Sequence, residues 1–212
     1  MCTADVAYKA INGIDAFAGM EIPSLRCLFG MYGSVSHWAV LDSCPAKAVR
    51  DLKGMRIGTG MTASSSEITG RLAMEILGYD YQKDVTAQFL GLGEFTDGVR
   101  DGTTDAAHGF GGIPSGGFLD LAATKPTRML PYDAEHLKAI LDVSPFYYGT
   151  SIPVEAYPGI LNTEPIPTFG VKVLMVVNEN MDEQIACDIA KRSLKMPLSW
   201  QPATRFLKTW LT

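Results

Sequence analysis

The sequence predicts an α/β protein whose strands form a mostly parallel, doubly wound sheet. Short apolar segments alternate with segments of helical periodicity from Met55 to Val143, in the order β, α, β, α, β, α, β, α. Two of these strands run into glycine-rich turns, and no internal repeat interrupts the alternation. Because parallel neighbours need a crossover, this order is typical of βαβ units with right-handed connections.

Composition and charge indicate a soluble globular chain and argue against nucleic acid as a partner. The 212 residues are 47% hydrophobic and 19% charged, with a net charge of -5. The 18 Lys and Arg residues are scattered, so the chain lacks the basic patch that marks a nucleic-acid binder. The longest apolar runs fall short of the roughly 20 residues that a membrane helix needs.

The cysteines and histidines do not predict a metal site or a cofactor. Cys2, Cys27, Cys44 and Cys187 show no Cys-x-x-Cys spacing, and the three histidines lie far from them in sequence. The cysteines also form no disulfide framework that would indicate an oxidising compartment. The first residues, MCTADVAYKAING, contain no basic segment followed by an apolar stretch, so we expect no signal peptide in this chain.

The first part of the chain predicts strands and a connector. The segments LRCLFGMY and SVSHWAVL favour two consecutive strands separated at Gly33. The polar segment DSCPAKAVRDLKG then connects them to a short strand, MRIGTG.

The clearest helix follows this strand. Ile68, Leu72, Ile76 and Leu77 recur near the 3.6-residue period, and Gly78 ends the pattern. We therefore expect these four side chains to form the buried face. The rest of the alternation comprises the strands VTAQFLG, DAAHGF and TRMLPY and the helices GEFTDGVRDG, PSGGFLDLAAT and DAEHLKAILDV.

The last third of the chain differs in character. Residues 144–169 contain five prolines, several aromatic residues and little periodicity, which indicates an ordered connecting stretch. The segment GVKVLMVVN is the most apolar strand of the chain, and its pattern predicts burial on both faces. A helix, MDEQIACDIAKRSL, follows with acidic residues in its first turn and basic residues in its last.

The segment GTGMTASSSEITG, residues 58–70, predicts a helix entrance suited to an anion. Amide N–H groups in the first turn of a helix have no intrahelical acceptor, and the helix dipole adds about half a positive charge there. A carboxylate or phosphate would accept bonds from these amides and from nearby hydroxyls, each worth roughly 1.5 to 3 kcal/mol. The candidate ligand-binding residues in this segment are Gly60, Thr62, Ala63, Ser64, Ser65 and Ser66.

A second interpretation of the same helix entrance needs no ligand. The segment SSSE, Ser64 to Glu67, fits the capping box, in which these two end residues satisfy the free amides themselves. Glu67 would also repel an incoming anion.

A third interpretation is a dinucleotide site in a cytoplasmic Rossmann-like enzyme. Gly58, Gly60 and Ala63 spell G-x-G-x-x-A after a strand, and Asp80 or Asp84 follows at a spacing suited to a ribose contact. The preceding strand, KGMRI, is poor in apolar residues for a central Rossmann strand, which argues against this interpretation.

A second glycine cluster, GFGGIPSGGF, also lies between a strand and a helix. The carboxyl ends of parallel strands meet at one edge of a sheet, where ligands bind. We therefore expect Phe110, Gly111, Gly112 and Ile113 to lie at the same edge as the helix entrance. The alternative is that these glycines serve only tight turns.

No catalytic constellation stands out. The serines lack the G-x-S-x-G elbow, and His108 and His136 have no carboxylate partner at a diagnostic spacing. Asp97, Asp101 and Asp105 fit a solvated face and a turn better than an acid/base set. We therefore assign no catalytic residue.

Several segments, taken in order, resemble the TAXI family of TRAP-transporter solute-binding proteins. ADVAYKAING at residues 4–13 is similar to SDVAYxAYNG, and DLKGMRIGTGMTASSSEITGR at residues 51–71 aligns without a gap on DLKGKRVAVGPPGSGTEVTAR. The resemblance covers residues 4 to about 195. Further matches are LAATKPTRMLPYD with LATTxPxRLLPID, SPFYYGTSIPVEAYPG with YPFYxxxxIPAGTYPG, and IPTFGVKVLMVV with VPTVGVWALLVV.

This resemblance implies a periplasmic binding protein type II-like fold, with two α/β lobes that are joined by crossing strands and close over one small ligand. It implies a periplasmic receptor and not an enzyme, with TRAP membrane permease subunits as partners and no cofactor. The implied ligand is a small carboxylate or amino acid such as glutamate, glutamine or 2-oxoglutarate. Residues 62–66 and 110–113 would form the second lobe's half of the cleft, and strand 171–177 would cross back to the first lobe.

The chain departs from the family pattern in three places. Ala63 and Ser65 replace family glycines, the family's first strands and helix have no counterpart, and the tail MPLSWQPATRFLKTWLT does not follow the pattern. We therefore expect residues 51–169 to form the second lobe, and residues 1–50 and 170–212 to form an incomplete first lobe. A homodimer would cover the exposed strand edges and apolar faces of that lobe, and a non-binding remnant is the alternative.

Overall fold

The chain divides into two units, and the boundary between them falls inside two long strands. The computed structural model describes residues 1–91 and 93–194. Unit 1 consists of Met1–Ser34 and the chain from Val171 onward, and unit 2 consists of Val35–Gly170. The tail MPLSWQPATRFLKTWLT, which we expect to belong to the first lobe, lies outside the described residues.

Strands and helices alternate along most of the chain, as predicted. The strands are β1 (Cys2–Thr3), β2 (Leu25–Leu41), β3 (Arg56–Thr59), β4 (Thr86–Phe89), β5 (Ala106–Gly111), β6 (Thr127–Met129), β7 (Tyr147–Ile152) and β8 (Ile166–Asn178). The α-helices are α1 (Ala4–Asn12), α2 (Ser65–Ile76), α3 (Glu94–Asp101), α4 (Gly116–Thr124), α5 (Ala134–Val143) and α6 (Glu183–Leu194).

In the sheet of unit 2, β3 lies between β4 and β5 and runs parallel to both. Ile57 of β3 is in register with Ala87 of β4 and with Ala106 of β5. The predicted parallel pairing is confirmed for these three strands. β2 instead pairs antiparallel with β5, with Trp38 opposite His108, because it enters unit 2 as the continuation of a strand from unit 1 and not through a crossover.

Two apolar clusters form the core of unit 2, one on each face of this sheet. Trp38 and Val40 belong to one cluster and Ala39 to the other, as expected for side chains that alternate along a strand. The first cluster also contains Ala73 of α2, and the second also contains Val99 of α3. Helices therefore cover both faces, which is the predicted doubly wound arrangement.

Two strand predictions are wrong. β2 is a single strand of 17 residues, and Gly33 lies within it in extended conformation where we expected a break. β7 lies inside the segment that we expected to be an ordered connecting stretch, and it pairs with β8. Its sequence, YYGTSI, is rich in aromatic and β-branched residues that favour strands, and the surrounding prolines conceal this signal.

Helix α2 has the predicted limits, but its predicted apolar face is only partly buried. Glu67, Gly70 and Ala73 are buried, whereas Ile68 is 36% exposed. A Cβ atom at Gly70 would lie 2.7 Å from Nδ1 of His108. The small residues therefore let α2 approach β5 closely, while Ile76 and Leu77 are partly buried against the first core cluster.

Unit 1 leaves many apolar side chains exposed. Within it, Thr3 of β1 is in antiparallel register with Val173 of β8. The predicted burial of β8 on both faces is wrong for its last part, because residues 174–177 are only half-buried. The exposed apolar side chains of unit 1 are Met1, Tyr8, Ile11, Ile14, Met20, Ile22 and Ile185.

Candidate functional site

The entrance of α2 is capped by its own side chains. Ser64 is the N-cap residue, and its Oγ accepts a hydrogen bond from the Glu67 amide at 3.2 Å. Glu67 Oε2 accepts a bond from the Ala63 amide at 3.1 Å, and Glu67 Oε1 lies 2.9 Å from Nε of Arg71. The self-capping interpretation is therefore confirmed, with Ala63 instead of Ser64 as the donor to the glutamate.

Two amides of this helix entrance remain without an acceptor. Ser65 and Ser66 begin the helix, and no hydrogen bond from either amide is formed within residues 1–91 and 93–194. Ser65 is exposed and Ser66 is half-buried. Arg71 pairs with the Glu67 carboxylate, which offsets the negative charge that would repel an anion here.

The turn between β3 and α2 is tight. A Cβ atom at Gly60 would lie 2.3 Å from Oγ of Ser64 and 2.9 Å from Cβ of Ser66, so only glycine fits at this position. Ala63 has a φ of 64°, in the left-handed region that favours glycine. This conformation costs a non-glycine residue such as Ala63 about 1 kcal/mol.

The second predicted segment is bonded directly to the helix entrance. The Phe110 amide donates a hydrogen bond to Oγ of Ser66 at 2.9 Å. Phe110 and Gly111 belong to β5 itself, and Gly112 and Ile113 form the loop that follows. All four residues are half-buried.

Two glycines of the second segment, Gly109 and Gly117, serve close packing. The glycines between residues 109 and 117 all have φ values outside the positive region. A Cβ atom at Gly109 would lie 2.8 Å from the Phe118 ring, and one at Gly117 would lie 2.8 Å from Oγ1 of Thr96. These glycines therefore allow α4 to pack against β5 and α3.

Exposed apolar side chains flank the helix entrance. Phe89 at the end of β4 is in register with Thr59 at the end of β3, and its side chain is 51% exposed. Met61, two residues after β3, is 65% exposed. This edge of the sheet therefore combines free amides and hydroxyls with apolar surface.

A chain of buried hydrogen bonds lies behind the second segment. The Ser115 amide donates to Oη of Tyr157 at 2.7 Å, Oη lies 2.8 Å from Nε2 of His37, and Nδ1 of His37 lies 2.9 Å from the Val35 carbonyl. A carbonyl can only accept, so Nδ1 carries the proton and Nε2 accepts from the Tyr157 hydroxyl. Burial lowers the pKa of His37 to about 4, which keeps the ring neutral at pH 7.

A second buried network lies beneath α2. Oγ of Ser36 is 3.1 Å from Nε2 of His108 and 2.8 Å from Oη of Tyr132, which also accepts a bond from Nε1 of Trp38 at 2.6 Å. Burial lowers the pKa of His108 to about 3. His108 contacts the Ser36 hydroxyl and the Trp38 ring, whose centroid lies 4.2 Å from its own.

Sequence analysis missed most members of both networks. Ser36, His37, Tyr132 and Tyr157 were not singled out, although the polar residues of SVSHWAVL interrupt an otherwise apolar strand. Polar side chains in a buried strand need hydrogen-bond partners, so these residues could have been predicted to belong to buried hydrogen-bond networks.

The acidic residues considered for catalysis have structural roles. Asp97 and Asp101 of α3 are exposed and lie 2.8 Å and 3.3 Å from Arg100 nitrogens. Asp105 accepts bonds from the amide and guanidinium of Arg56, which lower the pKa of its carboxyl group. The predicted solvated face and turn are therefore confirmed.

The acidic residues of the dinucleotide interpretation lie at the wrong edge of the sheet. Asp80 and Asp84 precede β4, whereas Gly58 and Gly60 lie at the end of the parallel strand β3. The Asp84 carbonyl accepts a bond from the Gly54 amide at 2.7 Å, beside the start of β3. A ribose contact needs an acidic group at the carboxyl edge, so neither aspartate is in the required place.

A cavity of about 420 Å³ lies at the other edge, beside the starts of β3 and β5. It contains none of the predicted ligand-binding residues, and its charged pair, Arg56 and Asp105, is mutually neutralised.

Within the described part of the chain, no three or more His, Cys, Asp and Glu side chains are grouped to hold a metal ion. The helices described there are also too short or too polar to cross a bilayer.

Comparison with known proteins identifies a family and a fold. The chain matches the sequence profile of the NMT1-like family over residues 1–196. A TctC solute binding protein from Polaromonas shares its fold, with a TM-score of 0.52 at 12% identity over 95% of this chain and 68% of that chain. The predicted periplasmic binding protein type II-like fold is therefore confirmed at the level of fold class.

Other similar structures are more distant. The periplasmic aliphatic sulphonate binding protein SsuA from Escherichia coli gives a TM-score of 0.42 at 16% identity, over 70% of this chain and 40% of that chain. The arginine-, lysine-, histidine-binding protein ArtJ from Geobacillus stearothermophilus gives 0.46 at 13% identity, over 81% and 57%. The chain thus spans about half the length of these two proteins.

Proposed function

The chain belongs to the NMT1-like family, and we propose that it acts as the solute-binding receptor of a membrane transporter. The TctC protein that shares its fold is described as a solute binding protein, which supports this proposal. The resemblance of residues 4 to about 195 to the TAXI family favours a TRAP-type transporter. On this proposal the receptor works in the periplasm and delivers its ligand to TRAP permease subunits.

The ligand we propose is a small carboxylate or amino acid, with glutamate as the first candidate. One observation carries this choice: the amides of Ser65 and Ser66 lack acceptors at the entrance of α2, beside the loop that Ser66 bonds through Phe110. A carboxylate at this position would accept both amide bonds and would benefit from the helix dipole. Phe89 and Met61 would contact the apolar part of the ligand.

A proline substitution tests this site with little effect on the helix. Ser65→Pro removes one of the two amides, and proline is favoured at the first position of a helix. Ser64 has φ of -74° and ψ of 160°, which suits a residue before proline. Since a charge-assisted bond is worth roughly 1.5 to 3 kcal/mol, glutamate binding measured by calorimetry should weaken at least about tenfold.

The control is Ser65→Ala, which removes the hydroxyl and keeps the amide. We expect its affinity for glutamate to stay within about threefold of the wild type, because the main-chain donor is unchanged. Equal affinity of the wild type and Ser65→Pro for glutamate would refute the site.

A thermal-shift panel with glutamate, glutamine, 2-oxoglutarate, NAD and NADP tests the function itself.

The panel distinguishes three classes of function. Stabilisation by a carboxylate would support the receptor, and stabilisation by the dinucleotides alone would support a nucleotide-binding enzyme. A chain that responds to none of the five compounds would favour a non-binding remnant.

We also propose a homodimer that covers the exposed apolar side chains of unit 1. Seven large apolar side chains are exposed among the described residues of unit 1, which would favour association in water. Light scattering coupled to gel filtration should then give a mass near twice 22.9 kDa. A monomer at every concentration tested would contradict the homodimer and would leave the ligand site unaffected.

A further inference from the structure

The segment between Phe110 and Ser115 is held at both ends by hydrogen bonds to distant parts of unit 2. At its start, the Phe110 amide donates to Ser66 at 2.9 Å. At its end, the Ser115 amide donates to Oη of Tyr157 at 2.7 Å. Four residues, 111–114, lie between these two bonds, and three of them, Gly111, Gly112 and Ile113, belong to the proposed ligand site.

The bond at Ser115 is part of an oriented chain of donors and acceptors. The Ser115 amide donates to Tyr157, the Tyr157 hydroxyl donates to Nε2 of His37, and Nδ1–H of His37 donates to the Val35 carbonyl. In this chain, the donor or acceptor role of each group is set by the hydrogen bond that its neighbour makes. The arrangement therefore requires a neutral His37 with its proton on Nδ1.

The surroundings of His37 favour this neutral form. Both His37 and Tyr157 have 0% exposed surface, and the His37 ring stacks on Phe118 at 5.2 Å between centroids. The titratable groups that face His37 are Tyr157 and, from β5, His108, whose own pKa is lowered mainly by burial and in part by His37. His37 forms no ion pair within the described residues.

The side chain of Ser115 does not provide an alternative anchor. Ser115 is the N-cap residue of α4, yet its hydroxyl makes no cap hydrogen bond. The position of the loop end therefore depends on the main-chain bond to Tyr157. We propose that Tyr157 and His37 are positioning residues, which fix loop 112–115 against the entrance of α2 so that the ligand meets a preformed surface.

The effect on ligand binding rests on the proposed function. The hydrogen-bond chain from Ser115 through Tyr157 and His37 to Val35, called the relay below, can be tested without any ligand. Tyr157→Phe keeps the ring and removes the hydroxyl, so the Ser115 amide loses its acceptor. Amide hydrogen exchange followed by NMR should show the Ser115 amide exchanging at least about tenfold faster than in the wild type.

Tyr132→Phe is the matched control. Tyr132 is equally buried, and its hydroxyl bonds Ser36 and Trp38 instead of the loop. This variant should leave the exchange of the Ser115 amide within about twofold of the wild type. Unchanged exchange in Tyr157→Phe, or an equal change in both variants, would overturn the inference.

A measurement on the wild-type protein covers the case in which Tyr157→Phe does not fold. Nitrogen-15 NMR at pH 7 should show that His37 is protonated at Nδ1 and unprotonated at Nε2. The opposite tautomer, or a doubly protonated ring, would refute the relay.

Glutamate binding then separates the relay from the proposed function. If the wild type binds glutamate, Tyr157→Phe should weaken binding by about tenfold and Tyr132→Phe by less than threefold. A wild type that does not bind glutamate would count against the proposed ligand, and the exchange and tautomer results would still decide the relay.

Discussion

Lowering the pH from 7 to 5 should decrease the free energy of unfolding by about 4 kcal/mol through two buried histidines. Burial lowers the pKa of His37 to about 4 and that of His108 to about 3. An unfolded chain would hold both near 6.5. Between pH 6.5 and 4 the unfolded state therefore binds protons that the folded state does not, so this stability is present at neutral pH and lost as the pH falls.

The size of this loss in unfolding free energy follows from the difference between the pKa of the unfolded histidine and the pH of the measurement. At pH 5 the unfolded histidine lies 1.5 pH units below its pKa of about 6.5, and each unit is worth 1.36 kcal/mol, which gives about 2 kcal/mol for each residue. His136, whose pKa is also lowered by burial, acts in the same direction. The pKa of Asp133, lowered to about 2 by its bond to Arg50, adds a further loss only in stronger acid.

Urea unfolding at pH 7, 6 and 5, followed by circular dichroism, measures this dependence. In His37→Gln and in His108→Gln one of the two titrating groups is absent, so each variant should lose only about 2 kcal/mol over the same pH range. A wild-type protein whose unfolding free energy changes by less than about 1 kcal/mol between pH 7 and 5 would refute the reasoning.

Two further predictions concern the contacts of α2. Ala63→Gly should raise the free energy of unfolding by about 0.5 to 1 kcal/mol, because glycine adopts the φ of 64° without strain; denaturant unfolding that shows no gain would contradict this conformation. Gly70→Ala should destabilise the protein by about 1 to 3 kcal/mol, because the new Cβ atom would lie 2.7 Å from Nδ1 of His108; wild-type stability in the same assay would show that α2 packs less closely on β5.

Local sequence patterns were sufficient to predict most helices and short strands. They failed where contacts with residues distant in sequence determine which face is buried or whether a strand continues. The limits of α2 follow from its capping residues and from Gly78, all of which are neighbours in sequence. Its buried face does not, because the choice of Gly70 over Ile68 depends on the position of His108 in β5. The continuity of β2 through Gly33 likewise depends on strands that pair with it and not on its own residues.

The candidate site shows the same division. The sequence alone located the two segments and their common edge, because parallel strands end together. It left open whether Glu67 caps the helix or repels a ligand, and only the folded chain places its carboxylate on the Ala63 amide and against Arg71.

By itself, the sequence determined the alternation of strands and helices and the turn that begins α2, since both depend on residue order over short distances. Tertiary structure alone decided the antiparallel course of β2 and the relay from Val35 to Ser115. His37 and Tyr157 are 120 residues apart, and their contact exists only because folding removes both from water and leaves each polar group dependent on the other.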